Sequence, residues 1–125
     1  MGMYDRYAPD PSLICPVCGE KLTGWQGKSG PCLLLTWHQG TAEPQTEEDT
    51  EHISLDDLKA YRLPEEFLIW TDCCSLPHLI TAIGQTENGI WTETRLMKST
   101  DVDDYLFDLP KERRNELKSW LKSCE

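Results

Sequence analysis

Two groups of potential metal ligands, far apart along the chain, contain the residue types best suited to chemistry. Cys15 and Cys18 are separated by two residues, and Gly19 follows directly. Two thiolates at this spacing can bind one metal ion, and a glycine permits the positive φ angle that turns the chain away from it. The second group follows a strand-like segment and contains Cys73, Cys74 and His78. We therefore expect both groups to bind the same metal ion.

The first group also resembles a known module. The segment Cys15-Pro16-Val17-Cys18-Gly19, followed by a hairpin-like stretch, resembles the first knuckle of a zinc-ribbon or rubredoxin-like module. Such families place a second knuckle, usually another C-x-x-C, on a second hairpin and close a tetrahedral site between the two. The resemblance implies a structural Zn²⁺ site, because four protein ligands leave no open position for a catalytic water.

The second group departs from the zinc-ribbon pattern, since no second C-x-x-C is present there. Cys73 or Cys74 is then the expected third ligand, and His78 the expected fourth. Adjacent cysteines that bind one ion together are geometrically awkward, so the choice among these residues stays open. Cys32 and His38 are spare alternatives.

A thiol redox function for Cys15 and Cys18 is the main alternative to metal binding. Thioredoxin-like sites place C-x-x-C at the N-terminus of a helix, which lowers the thiol pKa. Here residues 19–24 include two glycines and show no helical pattern. The sequence therefore favours metal binding over redox chemistry.

Chain length and composition indicate one globular domain that spans residues 1–125. The N-terminus is polar and lacks the apolar stretch of a signal peptide, and no apolar run approaches the length of a membrane span. We expect a cytoplasmic protein. In that reducing compartment, metal-bound or free thiols are more common than disulfides.

The net charge of −10 is concentrated in one part of the chain. Residues 41–72 hold ten acids and two bases, a net charge of −8. Residues 41–53 are expected to form a mobile acidic loop, because they show no hydrophobic period. This sign of charge repels nucleic acid and anionic membranes and attracts basic protein surfaces. The candidate partner-binding residues are Glu47, Glu48, Asp49, Glu51, Asp56 and Asp57.

Hydrophobic patterning predicts an α+β fold. An antiparallel sheet of four to six strands around a zinc-ribbon core is expected, with strands near 22–28, 32–38, 67–72, 79–84 and 90–96. Asn88-Gly89 predicts a hairpin turn between the last two strands. Helices are predicted at 55–62, 101–107 and 110–123, and residues 1–12 as an extended arm. The tryptophans at 25, 37, 70 and 91 are expected in the core.

The sequence contains no phosphate-binding loop, nucleophile elbow or H-E-x-x-H motif, and no small-molecule substrate is evident. We therefore expect a non-enzymatic, zinc-binding protein-interaction module. It would engage a basic protein partner, as a bacterial immunity protein or small inhibitor does. A nucleic-acid-associated zinc ribbon of the transcription or RNA machinery is the alternative, although the charge argues against it.

Overall fold

The structure is a computed structural model that describes residues 4–29, 35–43, 60–73 and 79–124. It is a mixed α+β fold with a six-stranded sheet. The strands are β1 (Asp5–Ala8), β2 (Trp25–Gly27), β3 (Thr36–His38), β4 (Glu66–Thr71), β5 (Ile80–Glu87) and β6 (Ile90–Leu96). A 3₁₀ turn (Ser99–Asp101) and two helices follow, α1 (Val102–Tyr105) and α2 (Lys111–Cys124). None of the helices in these described ranges is long and apolar enough to cross a membrane.

The sheet curls until its two edges meet. The strand order is β3-β1-β2-β4-β5-β6, which places β3 and β6 at opposite edges. The Gly40 N–H nevertheless donates to the Trp91 carbonyl oxygen at 2.7 Å, and the Trp91 N–H donates to the Thr41 carbonyl oxygen at 3.1 Å. The segment after β3 therefore covers the edge of β6, which would otherwise be open to pairing with another chain.

The β5–β6 hairpin forms where the sequence predicts it. Asn88 and Gly89 have φ angles of 54° and 81°, the left-handed values that a two-residue type I′ turn requires. The predicted strands at 67–72, 79–84 and 90–96 are confirmed as β4, β5 and β6 within a few residues.

The main core lies on the concave face of the curled sheet. Trp25, Trp37 and Trp91 are each almost completely buried there, as the sequence predicts, whereas Trp70 is only half-buried. The Trp91 ring contacts the Phe67 ring edge-on at a centroid distance of 5.2 Å. Aromatic packing of this kind adds to the gain from buried area.

The convex face of β4 and β5 is covered by the C-terminal helices. Ile83 packs there against Met97 and Val102, and half-buried residues of α2 complete this second cluster, among them Leu117 and Leu121. The helices predicted at 101–107 and 110–123 are confirmed as α1 and α2.

The N-terminal segment corrects the prediction of an extended arm. It forms β1, which lies inside the sheet, antiparallel to β2 and parallel to β3, so the sheet is not wholly antiparallel. The carboxylate of the fully buried Asp5 accepts hydrogen bonds from the Leu35 N–H at 3.2 Å and from the Trp37 Nε1–H at 3.1 Å. Those donors lie 30 and 32 residues further along the chain, so the polar sequence around Asp5 gave no sign of burial.

Two predictions fall mainly outside the described residues. The acidic loop at 41–53 is described only as far as residue 43, so all six candidate partner-binding acids lie beyond it. The helix predicted at 55–62 is described only from Ala60, which is helical, whereas Tyr61 and Arg62 are not.

Close packing between β4 and β5 generates the first prediction. A Cβ atom at Gly84 would lie 2.3 Å from Cζ of Phe67, well inside van der Waals contact. Gly84→Ala should therefore lower the free energy of unfolding by about 2 kcal/mol, because the ring must leave its place beside Trp91. Urea unfolding with an unchanged m-value measures the loss.

Phe67→Leu supplies the control for this prediction. The smaller side chain removes the obstructing ring. The double variant Gly84→Ala, Phe67→Leu should therefore lose less free energy of unfolding than the two single variants lose together. Losses that add to within about 0.5 kcal/mol would show that the clash is not the cause.

Candidate metal centre

The Cys15–Cys18 turn has the backbone of a metal-binding knuckle. We call residues 13–22 the knuckle. Its two arms pair through the Leu22 N–H, which donates to the Leu13 carbonyl oxygen at 2.8 Å, and through the Cys15 N–H, which donates to the Glu20 carbonyl oxygen at 2.9 Å. Gly19 ends the turn at a φ of 76°. The glycine thus has the role that the sequence predicts, because side chains are disfavoured at such angles.

The third cysteine comes from the end of β4. The Thr71 hydroxyl donates to the Thr23 carbonyl oxygen at 2.6 Å, directly after the knuckle. One residue earlier in β4, Trp70 pairs with Gln26 of β2. These bonds hold the end of β4 against the chain that leaves the knuckle, and Cys73 follows two residues later. Strand pairing therefore brings together sulfur atoms that are 55 residues apart in the sequence.

The sulfur atoms of Cys15, Cys18 and Cys73 all lie within 4.8 Å of one another. Those of Cys18 and Cys73 are 3.4 Å apart. A tetrahedral zinc site with Zn–S bonds of about 2.3 Å requires sulfur–sulfur separations of about 3.8 Å. The three thiols therefore have the spacing of one face of such a site and could hold a metal ion.

The three thiols differ in their exposure to solvent. Cys15 is buried, with 2 % of its surface exposed, and packs against the main core. Cys73 is half-buried, and Cys18 is exposed. Burial raises the pKa of Cys15, but hydrogen bonds outweigh it and lower the pKa from 9.0 to about 7. Those bonds come from the backbone amides of Cys18 and Val17 and from the side chains of Cys18 and Cys73. The knuckle thus favours the thiolate, the form that binds metal.

Three of the predicted ligands, Cys15, Cys18 and Cys73, lie together. Cys74, His78 and the spare Cys32 lie outside the described residues. Within the part of the chain that the structure describes, no fourth cysteine, histidine or carboxylate joins the three thiols. The spare His38, at the end of β3, is therefore not a ligand in this geometry.

Comparison with known proteins identifies no relative of this chain. The chain matches no protein-family model, and neither curated proteins nor solved structures give a match. The zinc-ribbon resemblance therefore rests on the knuckle and its thiols alone.

An acidic patch that the sequence analysis missed lies away from the thiols. Four exposed glutamates, with no basic residue among them, surround a shallow depression of about 400 Å³ on β4, β5 and β6. They are Glu65, Glu66, Glu87 and Glu93, which we call the glutamate patch. Strand register would have revealed part of it, because Gln85 pairs with both Glu66 and Glu93.

The lowered pKa of Cys15 generates the second prediction. The metal-free fold favours the thiolate, so its contribution to stability is fully present above the ordinary pKa of 9.0 and is lost as the pH falls through about 7. The stability difference between the metal-free wild type and Cys15→Ser should accordingly widen from pH 6 to pH 9. Thiolate absorbance in the ultraviolet should show one group that titrates near pH 7.

Cys124→Ser provides the matched control, since Cys124 lies on α2 and outside the thiol cluster. It should retain the titration near pH 7, whereas Cys15→Ser should lose it. A wild type without any thiol that titrates below pH 8 would contradict the assignment.

Proposed function

We propose that Cys15, Cys18 and Cys73 bind a structural Zn²⁺ ion. The observation that carries the proposal is the convergence of three thiols from two distant segments, one of them on a knuckle with Gly19 at positive φ. Three sulfur ligands suit zinc, because soft thiolates select it over oxygen-preferring cations such as Mg²⁺ or Ca²⁺.

We further propose that Cys74 or His78 supplies the fourth ligand. Both follow Cys73 within five residues, so either is close enough in sequence to complete a tetrahedron. A complete set of four protein ligands leaves no position for a substrate or water, which is why the role assigned to the ion is structural rather than catalytic.

In this function the metal holds the knuckle against the end of β4. Cys18 is exposed, and its sulfur lies 3.4 Å from that of Cys73, so a shared zinc ion would fasten the knuckle to the residue that follows β4. Because the unfolded chain lacks a preformed site, the free energy of zinc binding becomes free energy of folding.

The third prediction concerns metal content. Protein purified under reducing conditions should contain one zinc ion per chain by elemental analysis. Cys15→Ser, Cys18→Ser and Cys73→Ser should each lose most of it, and only one of Cys74→Ser and His78→Ala should do the same. Removal of the ion by a chelator should lower Tm by about 10 °C, as expected for a loss of about 3 kcal/mol.

Cys124→Ser should keep full zinc content, which shows that the loss is specific to the cluster. The zinc assignment fails if wild-type protein, reconstituted with zinc in the presence of a reductant, remains metal-free. It also fails if Cys73→Ser retains a full equivalent of zinc.

We propose in addition that this non-enzymatic module binds a basic protein, in the manner of a bacterial immunity protein or small inhibitor. The net charge of −10 supports a basic partner. So does the glutamate patch, in which only Glu66 has a described side-chain partner, the Tyr105 hydroxyl. Uncompensated carboxylates around one depression attract a complementary cationic surface and accelerate its association.

The fourth prediction tests the patch. Immobilised wild-type protein should retain a basic partner in stoichiometric amount from the native lysate, and retention should fall as salt rises. The triple variant Glu65→Gln, Glu87→Gln, Glu93→Gln should lose at least about tenfold in affinity, because three charges leave the contact surface. Glu66 is left unchanged because its carboxylate accepts the Tyr105 hydrogen bond.

A triple variant on the helical side serves as the control, with Asp104→Asn, Asp108→Asn and Glu116→Gln, all of them exposed. It removes the same charge from a different surface and should bind as the wild type does. Equal losses of affinity in both triple variants would show that binding depends on net charge and not on the glutamate patch. The absence of any stoichiometric partner would count against the whole proposal.

A further inference from the structure

The exposed Cys18 and the half-buried Cys73 form a close thiol pair between two chain segments. Their sulfur atoms are 3.4 Å apart, so an approach of about 1.4 Å brings them to the length of a disulfide bond, about 2.05 Å. Cys15 is the third member of the cluster, but it is only 2 % exposed and packs against the main core. A small oxidant in solvent therefore reaches Cys18 first.

We propose that Cys18 and Cys73 are an oxidative modification site at which a hydroperoxide replaces the metal with a disulfide. The inference rests on the proposed zinc function and adds to it a reaction that releases the zinc ion. Cys73 is assigned as the partner because its sulfur is 3.4 Å from that of Cys18, whereas the Cys15 sulfur lies within 4.8 Å of both. Cys15 is also the least exposed of the three thiols.

The reaction balances with hydrogen peroxide as the oxidant. The Cys18 thiolate attacks one peroxide oxygen, the O–O bond breaks, and a sulfenic acid and hydroxide form. The Cys73 thiolate then attacks the Cys18 sulfur, the S–S bond forms, and the S–O bond breaks with loss of a second hydroxide. Two thiolates are oxidised by two electrons, the peroxide is reduced, and Zn²⁺ leaves as the aqueous ion because two of its ligands are gone.

The new bond would join the same two segments that the metal joins. Cys18 lies on the knuckle and Cys73 follows β4, so either link closes the same loop of the chain. The knuckle therefore stays docked after the metal has left, and the fold persists in both states. A thiol reductant reverses the exchange and restores the zinc site.

The fifth prediction is the test of this exchange. Zinc-loaded wild-type protein is treated with one equivalent of hydrogen peroxide, and zinc release is followed with a chromogenic chelator. Release should approach one equivalent and should be reversed by a reductant. Intact mass should show the loss of two hydrogens per chain. Fragmentation of the unreduced tryptic peptides should join Cys18, not Cys15, to Cys73.

Two variants sharpen the assignment. Cys124→Ser should release zinc and form the link as the wild type does, and Cys74→Ser should still form the link in its metal-free state, since Cys73 is retained. A bond between Cys15 and Cys18, a bond that requires Cys124, or oxidation to sulfinic acid without a link would each overturn the proposal while the zinc site stands. A chain that forms the Cys18–Cys73 bond but never binds zinc would instead overturn the exchange together with the metal function.

Discussion

The contact between the knuckle and the end of β4 is the constraint on which the site depends. The knuckle spans only residues 13–22, and its hairpin hydrogen bonds fix the shape of the turn without fixing its position. Position comes from β4, through the pairing of Trp70 with Gln26 and the bond from Thr71 to Thr23. Those two contacts set the distance between Cys18 and Cys73, and a shift of one residue in the register of β4 would separate the thiols.

The curl of the sheet makes this contact possible in so small a protein. A flat six-stranded sheet would leave both edges open and its tryptophans half-exposed. Closure of the segment after β3 onto β6 instead places Trp25, Trp37 and Trp91 in one interior. Because the interior is closed, the knuckle can sit at its margin with Cys15 packed against the core and Cys18 facing solvent.

Among the residues that the structure describes, no lysine or arginine forms an ion pair with a glutamate of the glutamate patch. Two cations of α2, Lys118 and Arg114, contact Asp103, and these contacts lower the pKa of Asp103. Arg95 of β6 forms a bidentate ion pair with Asp101, the last residue of the 3₁₀ turn. These pairs fasten the helices to one another and to β6. The four glutamates of the patch, with no basic residue among them, give that end of the sheet an acidic surface.

Local sequence was sufficient wherever a few neighbouring residues decide the outcome. Asn88-Gly89 determined the hairpin through its positive φ angles, Cys15 to Gly19 determined the knuckle, and the apolar stripe around Leu117 determined α2. In each case the physical cause, a dihedral preference or a helical period, lies within one element.

Three features were decided only by the tertiary structure, because each depends on residues that are distant in sequence. The polar segment at Asp5 became a buried strand because donors at Leu35 and Trp37 satisfy its carboxylate. Cys73 meets Cys18 across 55 residues of sequence because the register of β4 against β2, and not spacing along the chain, brings the two sulfur atoms together. The glutamate patch likewise exists only after three strands pair. Sequence spacing specifies what one turn or helix can do, whereas long-range pairing specifies which turns meet.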